Sequence, residues 1–144
     1  MAKVKKLRPK KNKKMELLNG EIFAAVPALQ ELSQTNLPVK TSFGVAKLIV
    51  AFNPIYEAIE RTRSGIVTKY GKPDENNRGQ ISIQRDTDEF QKYLEDFAKI
   101  AIENVEVDLS SVNLPLLIPE GVDGNPVNLP ARILTPLDRF IKLE

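Results

Sequence analysis

The sequence predicts an α+β domain dominated by helices: a long kinked helix packed on a second amphipathic helix, a small β-sheet and a short C-terminal helix. Three observations carry this reading. Apolar residues recur at i, i+3, i+4 spacing from Val45 to Tyr70 and again from Phe90 to Ala101, the period of a helix with one buried face. Strict alternation marks "QISIQ" and "VEVDL" (Val105–Leu109) as strands. Between and beyond them lie short segments rich in Pro, Gly and Asn, the residues that turn chains.

Taken in order, the body begins at Met15, where "MELL" reads as a short strand closed by Asn19–Gly20. Ile22, Val26, Leu29 and Leu32 then repeat at helical spacing. Pro27 within that pattern predicts either a kink or the first turn, because its ring removes a backbone donor. "TNLPVK" ends this helix, since the residue before Pro38 is pushed out of helical geometry. Thr41 or Ser42 is placed to cap the long helix, whose stripe runs through Val45, Leu48, Ile49, Phe52, Ile55, Tyr56, Ile59, Ile66, Val67 and Tyr70. Pro54 interrupts it and predicts a kink.

"YGKPDENNRGQ" forms a polar turn before the strand at "QISIQ". Asp86, with Glu89 three residues on, has the spacing of a capping box for the second amphipathic helix. Phe90, Leu94 and Phe97 line that helix, and with Phe52 and Ile59 they are expected to form one cluster between the two long helices. Residues 113–130 read as irregular, with "DGNP" as a turn. Thr135 with Pro136 predicts the start of a last helix that turns Leu137, Phe140 and Ile141 inward.

The 144 residues suit one domain, 15–144, with a basic N-terminal extension, 1–14. Hydrophobic residues make up 42% and aromatics only 6%, without Trp, so the core must be mainly aliphatic. There is no His and no Cys. That excludes disulfides, thiolate nucleophiles, imidazole relays and zinc sites built from those side chains. No apolar run approaches the roughly 20 residues that span a bilayer, and no apolar segment follows the basic start as a secretory signal requires. The expectation is a soluble protein kept inside a cell, without a membrane partner.

Motifs for chemistry fail on their spacing. Gly65 to Lys72 reads G-x-x-x-x-x-G-K and is followed by Pro73, one residue too long for a phosphate loop and lacking its Ser or Thr. The acids Asp86, Asp88 and Glu89 stand where a helix dipole favours negative charge, and no calcium loop with its central Gly surrounds them. No Ser sits in a G-x-S-x-G elbow or at S-x-x-K spacing. A non-enzymatic protein without catalytic residues, metal or cofactor is expected.

Charge is the strongest signal. Lys3, Lys5, Lys6, Arg8, Lys10, Lys11, Lys13 and Lys14 crowd the extension, which has no acid. Removing those eight from 21 basic residues leaves 13 against 19 acids, so a chain of net charge +2 has a body of −6. The extension is suited to neutralising phosphates without reading bases, and no aromatic is interleaved for stacking. The plainer alternative is a solubilising extension, and an anionic groove of a protein neighbour is a further candidate.

The stretch from Met15 to Ile49, with "NGEIF", "PALQELS", "LPVKTSF" and "AKLI" in that order, resembles a family of small proteins of tailed bacteriophages and prophages. The resemblance continues through "KYG", "VEVDL" and "LTPLDRFI", and covers almost all of Met15–Glu144. Family chains start near Met15, so the basic extension looks like an addition, and Pro54 departs from the pattern. The resemblance implies phage origin and a structural or assembly role, in the virion or host cytoplasm, and supplies no catalytic residues. Its partners would be other phage structural proteins in a symmetric assembly, with nucleic acid a further candidate for the arm. The alternative is a small phage-encoded inhibitor of a host enzyme or defence complex, since acidic domains present carboxylates to nucleic-acid-binding grooves. A nucleic-acid-binding accessory protein is a third reading and rests on the arm alone.

Overall fold

The structure, a computed structural model, describes residues 14–144. Its elements follow as β1 (Lys14–Leu18), α1 (Asn19–Leu32), α2 (Val39–Tyr70), β2 (Lys72–Pro73), β3 (Ile81–Ser82) and α3 (Asp88–Ala101). Then come β4 (Asn104–Asp108), β5 (Leu116–Ile118), β6 (Gly121–Val122), β7 (Asn125–Pro126), α4 (Ala131–Leu134) and β8 (Ile141–Leu143). The fold is α+β and helix-dominated. In place of one small sheet, the described strands pair in twos: β1 with β4, β2 with β3, β5 with β8, and β6 with β7.

α1 is the central element. Ile22, Ala25, Val26, Ala28, Leu29 and Leu32 are all buried, so the helix is covered on more than one side. It packs against α2, α3, α4 and β1. Asn19 and Gly20 do not close a turn before it. They are its first residues, and Glu21 accepts a 2.9 Å hydrogen bond from the Leu18 N–H, half of a capping box. Pro27 lies well inside the helix rather than in its first turn. The missing donor there is tolerated because tertiary packing supplies most of a buried helix's stability.

α2 is 32 residues long and runs unbroken through Pro54. Its cap is Pro38 rather than Thr41 or Ser42, and the Thr41 hydroxyl instead donates to the Leu117 carbonyl at 3.1 Å. Of the predicted stripe, Val45, Leu48, Phe52 and Ile59 are buried, while Ile49, Ile55, Tyr56, Ile66, Val67 and Tyr70 are only partly buried. By length and apolarity α2 is the one described helix that could cross a bilayer, contrary to the run-length reading. Here its apolar stripe lies along α1, with α3 on its later part.

The expected cluster of Phe52, Ile59, Phe90, Leu94 and Phe97 does not form. Phe52 meets the Phe140 ring edge-on, with centroids 5.4 Å apart. Phe97 packs against Phe23 and Tyr93, at 5.3 and 6.2 Å, and Leu94 is 42% exposed. No residue of α3 is fully buried, although its apolar and polar faces are cleanly separated. The reason is position: the inner side of α2 is taken by α1 and by the segments after β4, which contribute Leu109, Val112, Leu116, Ile118 and Leu137 to the core. α3 is left on the margin. Its N-cap is Thr87, whose hydroxyl oxygen accepts from the Phe90 N–H at 3.2 Å, and not Asp86.

"QISIQ" supplies one arm of the β2–β3 hairpin, and "VEVDL" supplies most of β4. β1 and β4 pair antiparallel, with Met15, Leu17, Val105 and Val107 sharing the inner face. "DGNP" turns the β6–β7 hairpin, where Asp123 and Gly124 have φ of 52° and 83°, the left-handed geometry of a two-residue hairpin loop. The C-terminal helix is displaced. α4 ends before Thr135, which is its C-cap, and the chain then turns into β8, parallel to β5. Leu137, Phe140 and Ile141 are buried as expected.

Candidate interaction surface

Of the eight arm residues, only Lys14 lies in the described structure. It is the first residue of β1, one position inside the boundary drawn from charge, and sits opposite Asp108. Lys3, Lys5, Lys6, Arg8, Lys10, Lys11 and Lys13 lie outside the described residues. The arm therefore joins the body at the start of β1, beside β4.

The outer face of that two-stranded sheet is acidic. Glu16 stands directly opposite Glu106, and both are exposed. Asp108 completes the row. The Ser110 hydroxyl and amide hold its carboxyl below the ordinary value, and Lys14 adds a weaker attraction. Like charges directly opposite one another cost stability in a sheet. The pairing is retained by the apolar inner face.

A second surface surrounds the start of α2. Lys40, Thr41, Phe43, Gly44 and Lys47 face Val112, Asn113 and Pro115–Leu117 across a groove of about 500 Å3. Gly44 leaves room there for the Leu116 side chain, which a Cβ would displace. Lys47 donates to the Ser111 carbonyl at 2.8 Å, and its ammonium lies 4.5 Å from the centre of the Phe43 ring. Beside the groove, Val39, Phe43 and Val50 are 84%, 61% and 73% exposed, and Leu117 is 50% exposed. Sequence reasoning passed over these residues, since all three helical ones lie off the buried stripe of α2. The signal was present: Val39, Phe43, Ala46 and Val50 are spaced by four, three and four, a heptad pattern on the opposite face.

A third feature is a cleft of about 370 Å3 between the β2–β3 hairpin and the start of α3, lined by Tyr70, Asp74, Glu75 and Glu89 among others. Asp74 is engaged in its own loop, accepting from the Asn76 N–H at 2.8 Å. Among the described residues no three His, Cys, Asp or Glu side chains converge as metal ligands.

Ion pairs brace the ends of the chain. Glu21 accepts from Arg139 at 2.8 Å and Glu31 from Arg132 at 2.7 Å, fastening the C-terminal segments to α1. The Leu18 amide above all, then Arg139, holds the Glu21 carboxyl below its ordinary value against a partial burial that opposes them. Tyr70 donates to Asp96 at 2.8 Å and lowers that carboxyl, joining α2 to α3. Comparison of the chain with protein-family models, curated proteins and solved structures gave no match.

Proposed function

We propose that this chain is a non-enzymatic structural or assembly protein of a tailed phage, which binds other virion proteins while its basic arm reaches a neighbouring subunit or polyanion. The observation that carries the reading is the apolar surface at the start of α2, where Val39, Phe43 and Val50 stand in solvent beside Leu117. Large apolar side chains grouped on a surface mark contacts with other proteins. The resemblance of Met15–Glu144 to small phage proteins supplies the setting, and the arm gives a second, charge-based contact. Mass spectrometry of purified virions tests it: the protein should be present in fixed stoichiometry. Its absence would reject the virion subunit and leave a transient assembly role, which pull-down from infected cells would then have to reveal.

The acidic row of Glu16, Glu106 and Asp108 favours a second reading, an inhibitor of a host enzyme or defence complex. Expression timing separates the two. Early transcription supports the inhibitor, and late transcription supports the assembly protein.

A further inference from the structure

The groove at the start of α2 has a definite chemical character. Its wall is apolar, from Phe43, Val112, Pro115, Leu116 and Leu117, and its charged residues are Lys40 and Lys47 alone. The exposed stripe Val39–Phe43–Ala46–Val50 leads away from it over about 16 Å of helix. This is the footprint that an amphipathic helix recognises, through anchors repeating on one face.

Charge decides between occupants. Pairing α2 antiparallel with a second copy about Ala46 would bring one Lys47 toward the other, with no acid between them on the stripe. The chain's own basic arm carries the same sign as the groove. An acidic helix meets neither objection. Lys47 is also held in place, by the Ser111 carbonyl at 2.8 Å and the Phe43 ring at 4.5 Å, so little side-chain freedom remains to be lost on binding.

We propose that this groove docks an acidic amphipathic helix of a partner protein, its apolar face on Phe43 and Val50 and its carboxylates on Lys40 and Lys47. The proposal deepens the assembly reading and rests on it only for where the partner is found. The arm's attachment agrees with it. Lys14 pairs with Asp108, three residues before Ser111, a reach of at most about 11 Å. A partner in the groove thus lies close to the root of the basic arm.

The test uses the full-length, isotope-labelled protein and two synthetic helical peptides sharing one leucine stripe at heptad spacing, one flanked by Glu and one by Lys. The acidic peptide should shift the amide resonances of residues 39–50 and 112–117. Lys40→Glu should weaken it about tenfold and improve the basic peptide, the sign of a charge pair at the contact. Phe43→Ser should abolish both sets of shifts, with unchanged resonances elsewhere showing that the fold is intact. Equal binding of the two peptides, or shifts confined to other surfaces, would overturn the proposal. So would shifts of the groove amides caused by phosphatidylglycerol vesicles or duplex DNA but not by the acidic peptide. Because peptide binding is read without virions, its failure leaves the particle measurement standing, and the reverse also holds.

Discussion

The ring of Phe52, midway along α2, packs edge-on against Phe140, 88 residues later, at 5.4 Å between centroids. Both side chains are fully buried, so this contact closes the core between the long helix and the C-terminal segment. Phe52→Ala or Phe140→Ala should therefore cost about 3–5 kcal/mol. Phe97→Ala, which removes a half-buried ring at the margin, should cost clearly less. Denaturant melts of the three variants check the order, and an equal or greater loss at Phe97 would mean that α3 belongs to the main core.

Gly71 ends α2 where the chain turns into β2. A Cβ there would lie 2.5 Å from the Val67 carbonyl oxygen and 2.9 Å from the Ser82 carbonyl oxygen, both rigid backbone atoms. Gly71→Ala should destabilise by about 1–3 kcal/mol through this crowding. Gly65→Ala, in open space within the same helix, should instead gain about 1 kcal/mol from helix propensity. Paired thermal melts distinguish the two signs.

Glu16 and Glu106 repel across β1 and β4 on an exposed face. Glu106→Lys would create an opposite-charge pair and should raise stability by about 0.2–1 kcal/mol at low salt. The gain should shrink as salt is added. A loss of stability would show that the two carboxylates are held by something other than the sheet.

Acid should weaken the fold in a definite direction. The carboxyls of Glu21, Glu60, Asp96 and Asp108 all titrate below their ordinary values in the folded protein. A lowered folded value means stabilisation that is complete above the unfolded value, about 4, and is lost as pH falls through the folded one. The melting temperature should thus fall steadily below pH about 4.5. Glu21→Gln keeps an acceptor for the Leu18 amide but not the Arg139 pair, so it should lose less on acidification than the parent chain.

The arm should be dispensable for folding, because among the described residues the buried core begins at Leu17 and the arm's sequence offers few apolar side chains. Deleting residues 1–13 should leave the melting temperature nearly unchanged while association falls. If all eight cations of the full-length chain neutralise phosphates, its log affinity for duplex DNA should fall against log salt with a slope of about −7. The truncated chain, which keeps only Lys14 of the eight, should lose nearly all of that slope. Particle incorporation lost on deletion but resistant to nuclease would assign the arm to a protein neighbour. Loss caused by nuclease alone would assign it to nucleic acid.

Periodicity determined much of this protein without help. The buried stripe of α2, the separated faces of α3, the alternation in β4 and the inward Leu137, Phe140 and Ile141 follow from which residues share a face, a local property of helix and strand geometry. The division of charge between arm and body was equally plain. Local signals were weaker at boundaries: Thr41, Asp86 and Thr135 each have the right chemistry for a cap, yet Pro38, Thr87 and Pro130 hold those positions. Pro38 and Pro130 make no side-chain cap bond, so these two helices start without the capping chemistry that a local reading looks for.

The tertiary structure alone decided what covers each face. A stripe states that a helix must be buried on one side, but not by which segment, because the hydrophobic effect is non-directional. Phe52 found Phe140 rather than Phe90 or Phe97, since the segments after β4 fold back over α2 and leave α3 at the edge. Strand β5 was unreadable in a proline-rich stretch, for its ladder exists only once β8 arrives parallel to it from 25 residues further along. The groove is of the same kind. Phe43 and Lys47 are ordinary helix residues until Val112–Leu117 are brought alongside, and only that juxtaposition makes them a surface for a partner.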